Sequence, residues 1–170
     1  MRLLPAAVVV LAAAGWVGLL GGAPLMVAPA ASDTAAFAAA WTYRAGAMLC
    51  HQQTGRSFAV RGVQLPVCAR CTGLYAGGAV GAVLAWFGLL AARRRAQVLR
   101  LSLDRWRAIT VACAIPMIAV WAAEHGLGVS VNNVVRFATA LPPGAAVAVI
   151  VTCWAGGVGF HDSPPETAIH

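Results

Sequence analysis

The sequence predicts an all-α protein, a four-helix transmembrane bundle with a helical, Cys/His-containing external loop between the first two spans. Three observations predict it. Of 170 residues, 61% are hydrophobic and only 10% are charged, whereas a soluble domain carries roughly a quarter charged residues. The apolar residues gather into four long runs, and a helix crosses a hydrocarbon core about 30 Å thick with about 20 such residues. Between the first two runs lies LCHQQTGRSFAVRGVQLPVCARCTGLYAGG, Leu49 to Gly78, which holds three of the five cysteines.

The formal charge is +7, from 12 basic residues against 5 acidic, and every basic residue is Arg. These arginines sit between apolar runs. That placement sets topology and local chemistry and leaves no soluble basic face for nucleic acid. The partner predicted by composition is the lipid bilayer.

The first span is expected over about residues 3–31, after Arg2. Ala28-Pro29-Ala30 also resembles a signal-peptidase site, but the apolar run is longer than a usual signal core, so a retained helix is expected. Ser32-Asp33-Thr34 can cap a further helix. From Thr34 to Leu49 the pattern is Ala-rich and helical, with Phe37, Trp41 and Met48 as apolar anchors, and Trp41 and Tyr43 suit the membrane–water boundary.

The second span is expected over about 71–92. Gly73, Gly77 and Gly81 recur on one face, which lets another helix backbone approach closely and places this helix centrally. The third span, about 108–124, carries Pro116 as a kink and ends at Glu124-His125. The fourth, about 134–158, contains Pro142-Pro143-Gly144, where a short helix, a break and then the main span are expected. Residues 1–159 read as a single integral membrane domain and 160–170 as a flexible tail.

Six arginines between Arg93 and Arg107 crowd the second connection, so it is expected on the cytoplasmic side. Both termini then lie in the cytoplasm and the Cys/His loop lies outside. Val98, Leu99, Leu101, Leu103 and Trp106 make part of this connection amphipathic and suited to the bilayer surface. Arg61 reads as a headgroup-seeking side chain. Cys113 and Cys153, inside the third and fourth spans, read as small buried apolar groups.

Cys50-His51 and Cys68-x-x-Cys71 supply three thiols and one imidazole, a complete tetrahedral set at a spacing common in zinc sites. Soft thiolates favour zinc. Neighbouring residues of a regular helix point about 100° apart, so Cys50 and His51 share an ion only if the helix ends there. Otherwise His125, Glu124 or a water completes the shell, and a water makes the site catalytic in type. Arg56 and Arg70 can offset the thiolate charge around the centre. Glu124 and Arg136 form a second polar pair near the outer ends of adjacent spans. With His125, they are the candidates for catalysis.

LCHQ, then RSF, then QLPVCARCTGLYAGG resembles an uncharacterised family of small predicted bacterial membrane proteins, a domain of unknown function. The matching positions are Cys50-His51-Gln52, Arg56-Ser57-Phe58, Pro66 through Gly73 with Tyr75, then Glu124, and Asn133 with Arg136. The family pattern has a hydroxyl residue before Asn133, where this chain has Asn132. The resemblance implies a membrane location and a shared site that includes Ser57 and Asn133 around the metal. It supplies no activity.

The function expected is an integral membrane protein with a Cys/His zinc site at the extracytoplasmic face. Its role is structural or metal-assisted catalytic, on a small-molecule or lipid substrate. The rival is a membrane thiol–disulfide oxidoreductase that cycles Cys68 and Cys71 with Cys50 as shuttle. A third reading is a small-ligand transporter built on the glycine ladder and the broken fourth span.

Overall fold

The computed structural model describes residues 2–27, 32–94 and 100–161. Its main elements are helices α1 (Leu3–Gly22), α2 (Asp33–Leu49), α3 (Ala69–Arg94), α4 (Leu103–Gly126) and α5 (Asn133–Ala155). Four segments are long and apolar enough to cross a membrane: Leu3–Val27, Ala69–Arg93, Leu103–Gly126 and Asn133–Ala155. The protein is a multi-pass membrane protein with α2 and an irregular loop between its first two spans. The signal-peptidase-like Ala28-Pro29-Ala30 and the tail beyond 161 fall outside the described residues.

The first span is a helix to Gly22 and continues as a 3₁₀ segment, Ala23–Val27. Ser32 caps α2, its hydroxyl accepting from the Ala35 N–H, which satisfies one of the donors that a helix start leaves free. Phe37, Trp41 and Met48 of α2 are exposed.

The core of the bundle is the pair α3 and α5. Their approach depends on the expected glycine ladder. A Cβ at Gly77 would overlap the Leu141 carbonyl, and one at Gly144 would overlap the Leu74 carbonyl. With little hydrophobic driving force between helices in lipid, close backbone packing of this kind supplies the attraction. We expect Gly77→Ala to lower thermal stability in detergent, by the 1–3 kcal/mol typical of overpacking, although Ala is the better helix former. Gly88→Ala, with open space around it, should be neutral or stabilising. Equal effects would show that the ladder does not bring the two helices together.

The expected break in the fourth span does not occur. Helix α5 runs from Asn133 to Ala155 with Pro142 and Pro143 inside it. The prolines remove two intrahelical bonds, but α3 lies against this stretch through Gly73, Gly77 and Gly81, and that packing holds the helix across the gap. Pro116 sits inside α4, which runs without interruption from Leu103 to Gly126.

The connection after α3 also differs from the expected amphipathic surface segment. Strand β3 (Arg100–Ser102) pairs in parallel with β4 (Gly159–His161), so this part is extended and α4 begins directly after it. Backbone pairing to the chain beyond α5 satisfies its polar groups where a surface helix would have satisfied them internally. Residues 95–99 lie outside the description. At the same end, the Arg2 N–H donates to the Gly156 carbonyl at 2.8 Å. The start of α1 and the end of α5 are therefore neighbours, and the Cys/His loop occupies the opposite end.

Candidate metal centre

The loop after α2 is shaped by a turn and by amide side chains. Strands β1 (Ala59–Val60) and β2 (Val63–Gln64) form a small antiparallel hairpin. Arg61 and Gly62 occupy its tip with φ of 52° and 81°, the two left-handed positions that a tight hairpin turn needs. Arg61 thus stands exposed at a turn and is not among the residues that line the cavity beside the cysteines. Gln52 Nε2 donates to the carbonyls of Tyr43 (2.9 Å) and Pro66 (2.6 Å), and Gln64 Nε2 donates to the Gln52 carbonyl (2.7 Å). The Tyr43 hydroxyl donates to the Gln64 carbonyl, and burial raises the Tyr43 pKa. Gly46 leaves room for the Pro66 carbonyl to reach α2. Gln52, Gln64 and Pro66 all stood in the quoted sequence motifs. Tyr43 read only as a residue suited to the membrane–water boundary, and nothing local gave its bond to Gln64.

This folding brings Cys50, Cys68 and Cys71 together, with their Sγ atoms all within 4.8 Å of one another. The three form a triad that can hold a metal ion. Cys50 ends α2 in extended backbone at φ −144°, ψ 139°. Cys68 stands just before α3, and its N–H donates to the Cys50 Sγ at 3.2 Å. Cys71 lies in the first turn of α3. All five cysteines are free thiols. Cys153 is packed with Ala85, Leu89 and Val158 near the opposite end, and Cys113 is half-buried in α4.

The Cys68 thiol is pulled down to about 5, chiefly by a hydrogen bond from the Cys71 thiol, then against partial burial by the Cys71 backbone N–H, the Cys50 thiol and the Arg70 N–H. Its sulfur occupies the position of a helix N-cap acceptor, where free N–H groups and the helix dipole favour the anion. In metal-free protein, iodoacetamide should alkylate Cys68 first. Its rate should stay flat from pH 8 to about 6 and fall as pH drops through about 5, because a lowered pKa keeps the thiolate present above it. A rate that instead rises steeply between pH 7 and 9 would show an ordinary thiol.

His51 does not join the three sulfurs. Among the described residues, the group of convergent ligand atoms contains the cysteines alone. In extended backbone, successive side chains point to opposite faces, so the conformation that ends the helix at Cys50 also turns His51 away from its neighbour's sulfur. His51 is exposed and lines a cavity of about 350 Å³ together with the triad, Arg56, Arg70 and His125. The His125 ring stacks on Trp121 with centroids 4.8 Å apart. Its Nδ1 lies 2.9 Å from the Trp121 carbonyl; as the donor in that bond, Nδ1 leaves the Nε2 lone pair available.

Glu124 is engaged elsewhere. Its carboxylate accepts from Arg70 on one oxygen and from Arg136 Nε, at 2.7 Å, on the other, and its side chain is only 2% exposed. Arg136 also donates to Asn133 Oδ1 (2.7 Å), and Asn133 Nδ2 donates to the Ser57 carbonyl (3.1 Å). The chain of contacts Arg70–Glu124–Arg136–Asn133–Ser57 therefore ties α3, α4, α5 and the loop together beside the sulfurs. Ser57 is buried, with its hydroxyl donating to the Gln53 carbonyl at 3.0 Å. Asn132, standing where the family pattern has a hydroxyl residue, caps α5 by accepting from the Val135 N–H at 2.9 Å. An amide oxygen fills that capping role as well as a hydroxyl does.

Residues 50–150 match the model of a family described as predicted membrane protein, DUF2085. This covers more than half of the chain. The chain belongs to the DUF2085 family. The part matched by DUF2085 begins at Cys50 and takes in the triad, Arg70, Glu124 and Arg136. An uncharacterized protein of Methanothermobacter thermautotrophicus is 35% identical over 103 residues, which is 60% of this chain and 83% of that one. An uncharacterized protein of Methanocaldococcus jannaschii is 43% identical over 42 residues, 25% of this chain and 27% of that one. Both relatives are archaeal, whereas the sequence pattern pointed to bacterial proteins. No solved structure matches.

Proposed function

We propose that this DUF2085 protein is a membrane metalloprotein that holds zinc through Cys50, Cys68 and Cys71 at the extracytoplasmic face. The observation that carries the reading is the convergence of three sulfurs within 4.8 Å, from the end of one helix and the start of another. Three soft thiolates favour zinc over calcium or magnesium. Three protein ligands with a fourth position open are the arrangement of zinc sites that bind water or substrate. The cavity beside the sulfurs would supply that position; His125, or His51 after a change of its side-chain direction, would complete the shell, and either imidazole could carry a proton there. Glu124 and Arg136 act from behind, by holding the Arg70 guanidinium.

The orientation follows from charge. Arg2 and the arginine-rich connection after α3 share the end opposite the triad, and the positive-inside bias assigns that end to the cytoplasm. Residues 1–159 act as one integral membrane domain in this reading.

Metal analysis of the full chain purified in detergent should give about one zinc per chain, and less than a tenth of that in Cys68→Ser and in Cys50→Ser. Wild-type protein without metal would remove the reading.

One observation favours a second reading. The Cys68 sulfur, held as a thiolate beside the Cys71 thiol, is also what a thiol–disulfide oxidoreductase requires. Trapping cells with N-ethylmaleimide separates the two. A reducible Cys68–Cys71 bond without bound zinc supports redox exchange, and three free thiols with zinc support the metal centre.

A further inference from the structure

We infer that the cavity beside the triad binds a phosphate-bearing ligand, either the headgroup of an anionic lipid or free phosphate, through Arg56 and Arg70. The inference deepens the proposed metal centre and rests on it for the chemistry at the cavity floor, but the binding charge comes from the arginines.

Both guanidinium groups line the cavity, and no carboxylate does. Arg56, in the 3₁₀ turn Thr54–Arg56, is half-buried. Its side chain makes no ion pair among the described residues. Arg70 shares the single carboxylate of Glu124 with Arg136, so this buried group keeps one positive charge in surplus. The Arg70 Nε is buried without a hydrogen-bond partner, so the guanidinium has donor capacity that no protein group uses. A divalent ion on three thiolates carries a formal charge of −1. Even with that ion in place, the two arginine contributions leave the cavity one positive charge in excess.

The shape of the donors narrows the anion. A guanidinium presents a planar fork that matches the paired oxygens of phosphate. Arg70 is held in place by Glu124 before any ligand arrives, so less side-chain freedom is lost on binding. A volume of about 350 Å³ lies at the small end of ligand pockets and suits a compact headgroup. Leu49 and Trp121 line the same cavity while being 67% and 51% exposed. At the boundary of a bilayer these two side chains face acyl chains, which leaves the arginines to meet the phosphate layer.

The test uses the full chain in detergent, with zinc content measured on every sample. Native mass spectrometry reads the binding of dioctanoyl phosphatidate, with dioctanoylglycerol as the uncharged control. Wild type should bind phosphatidate and not dioctanoylglycerol. Arg56→Gln should weaken binding at least tenfold when compared with wild type at equal zinc occupancy, and Arg56→Lys should recover part of it. Competition by inorganic phosphate at equal concentration identifies free phosphate as the ligand, and failure to compete identifies the lipid headgroup; either result supports the site. Equal binding by wild type and Arg56→Gln would overturn the inference, as would equal binding of dioctanoylglycerol. Arg56-dependent binding by protein that holds no zinc would overturn the metal centre and leave this inference standing. Zinc-loaded protein that binds no phosphatidate and no phosphate would overturn this inference alone.

Discussion

Stripping the proposed zinc from the purified protein should loosen the segment between Cys50 and Cys68 and leave the four spanning helices folded. An ion held by both ends of this segment acts as a cross-link, and closing a loop of about 15 residues is worth about 3 kcal/mol in chain entropy. The hydrogen bonds of Gln52, Gln64 and Asn133 hold the same segment from within, each contributing about 0.5–1.5 kcal/mol. The two contributions are of similar size. Removing the ion therefore costs roughly half of the local stability and does not unfold the bundle, whose main contact is between α3 and α5.

Limited trypsin digestion reads this directly. Cleavage after Arg56 and Arg61 should accelerate at least tenfold on chelation, with far-ultraviolet circular dichroism unchanged. Cys71→Ser should behave like chelated wild type, since it removes one ligand of the same ion. An unchanged cleavage rate after complete loss of metal would mean that the ion does not hold the loop.

Glu124→Ala should be the most destabilising single substitution outside the triad. It leaves Arg70 and Arg136 facing each other without a carboxylate, in a place where the removed side chain was 2% exposed and that of Arg136 9%. Breaking a buried ion pair by removing one partner costs about 3–5 kcal/mol, because an uncompensated charge stays behind. Arg136→Ala should cost less, since Glu124 keeps Arg70 as its partner. Thermal unfolding in detergent, followed by the fluorescence of a thiol-reactive dye, ranks the two. If Arg136→Ala proves the worse, the stability of this cluster lies in the Arg136–Asn133–Ser57 contacts and not in the shared carboxylate.

The readable part of this protein was what a single helix or a short pattern decides locally. Four apolar runs, the capping Ser32, the glycine repeat in the second span and the Cys68-x-x-Cys71 pair at its head all follow from length, periodicity and side-chain chemistry. The helix ends came within a few residues of those expected at the second and fourth spans, whereas the first α-helix ends at Gly22 and gives way to a 3₁₀ segment where a helix to about 31 was expected, and α4 starts at Leu103 and not near 108. The prolines at 142 and 143 misled because a sequence pattern counts the hydrogen bonds lost and cannot see the neighbouring helix packed against the same stretch. The hairpin at residues 59–64 was missed because its strands have only two residues each, too few to show an alternation.

His51 shows the same division at the site. Its place beside Cys50 made it a ligand only on the condition that the helix ends there, and its direction depends on the backbone conformation at Cys50. Composition and spacing alone were enough for a membrane-spanning helical chain with three of its five thiols gathered in one loop. Which sulfurs meet, which way the imidazoles face, and that Glu124 is shared between two arginines instead of facing a ligand were settled only by packing. Thiol and guanidinium chemistry belongs to single residues. The distances between those groups depend on how five helices and a short loop, far apart along the chain, come to rest against one another.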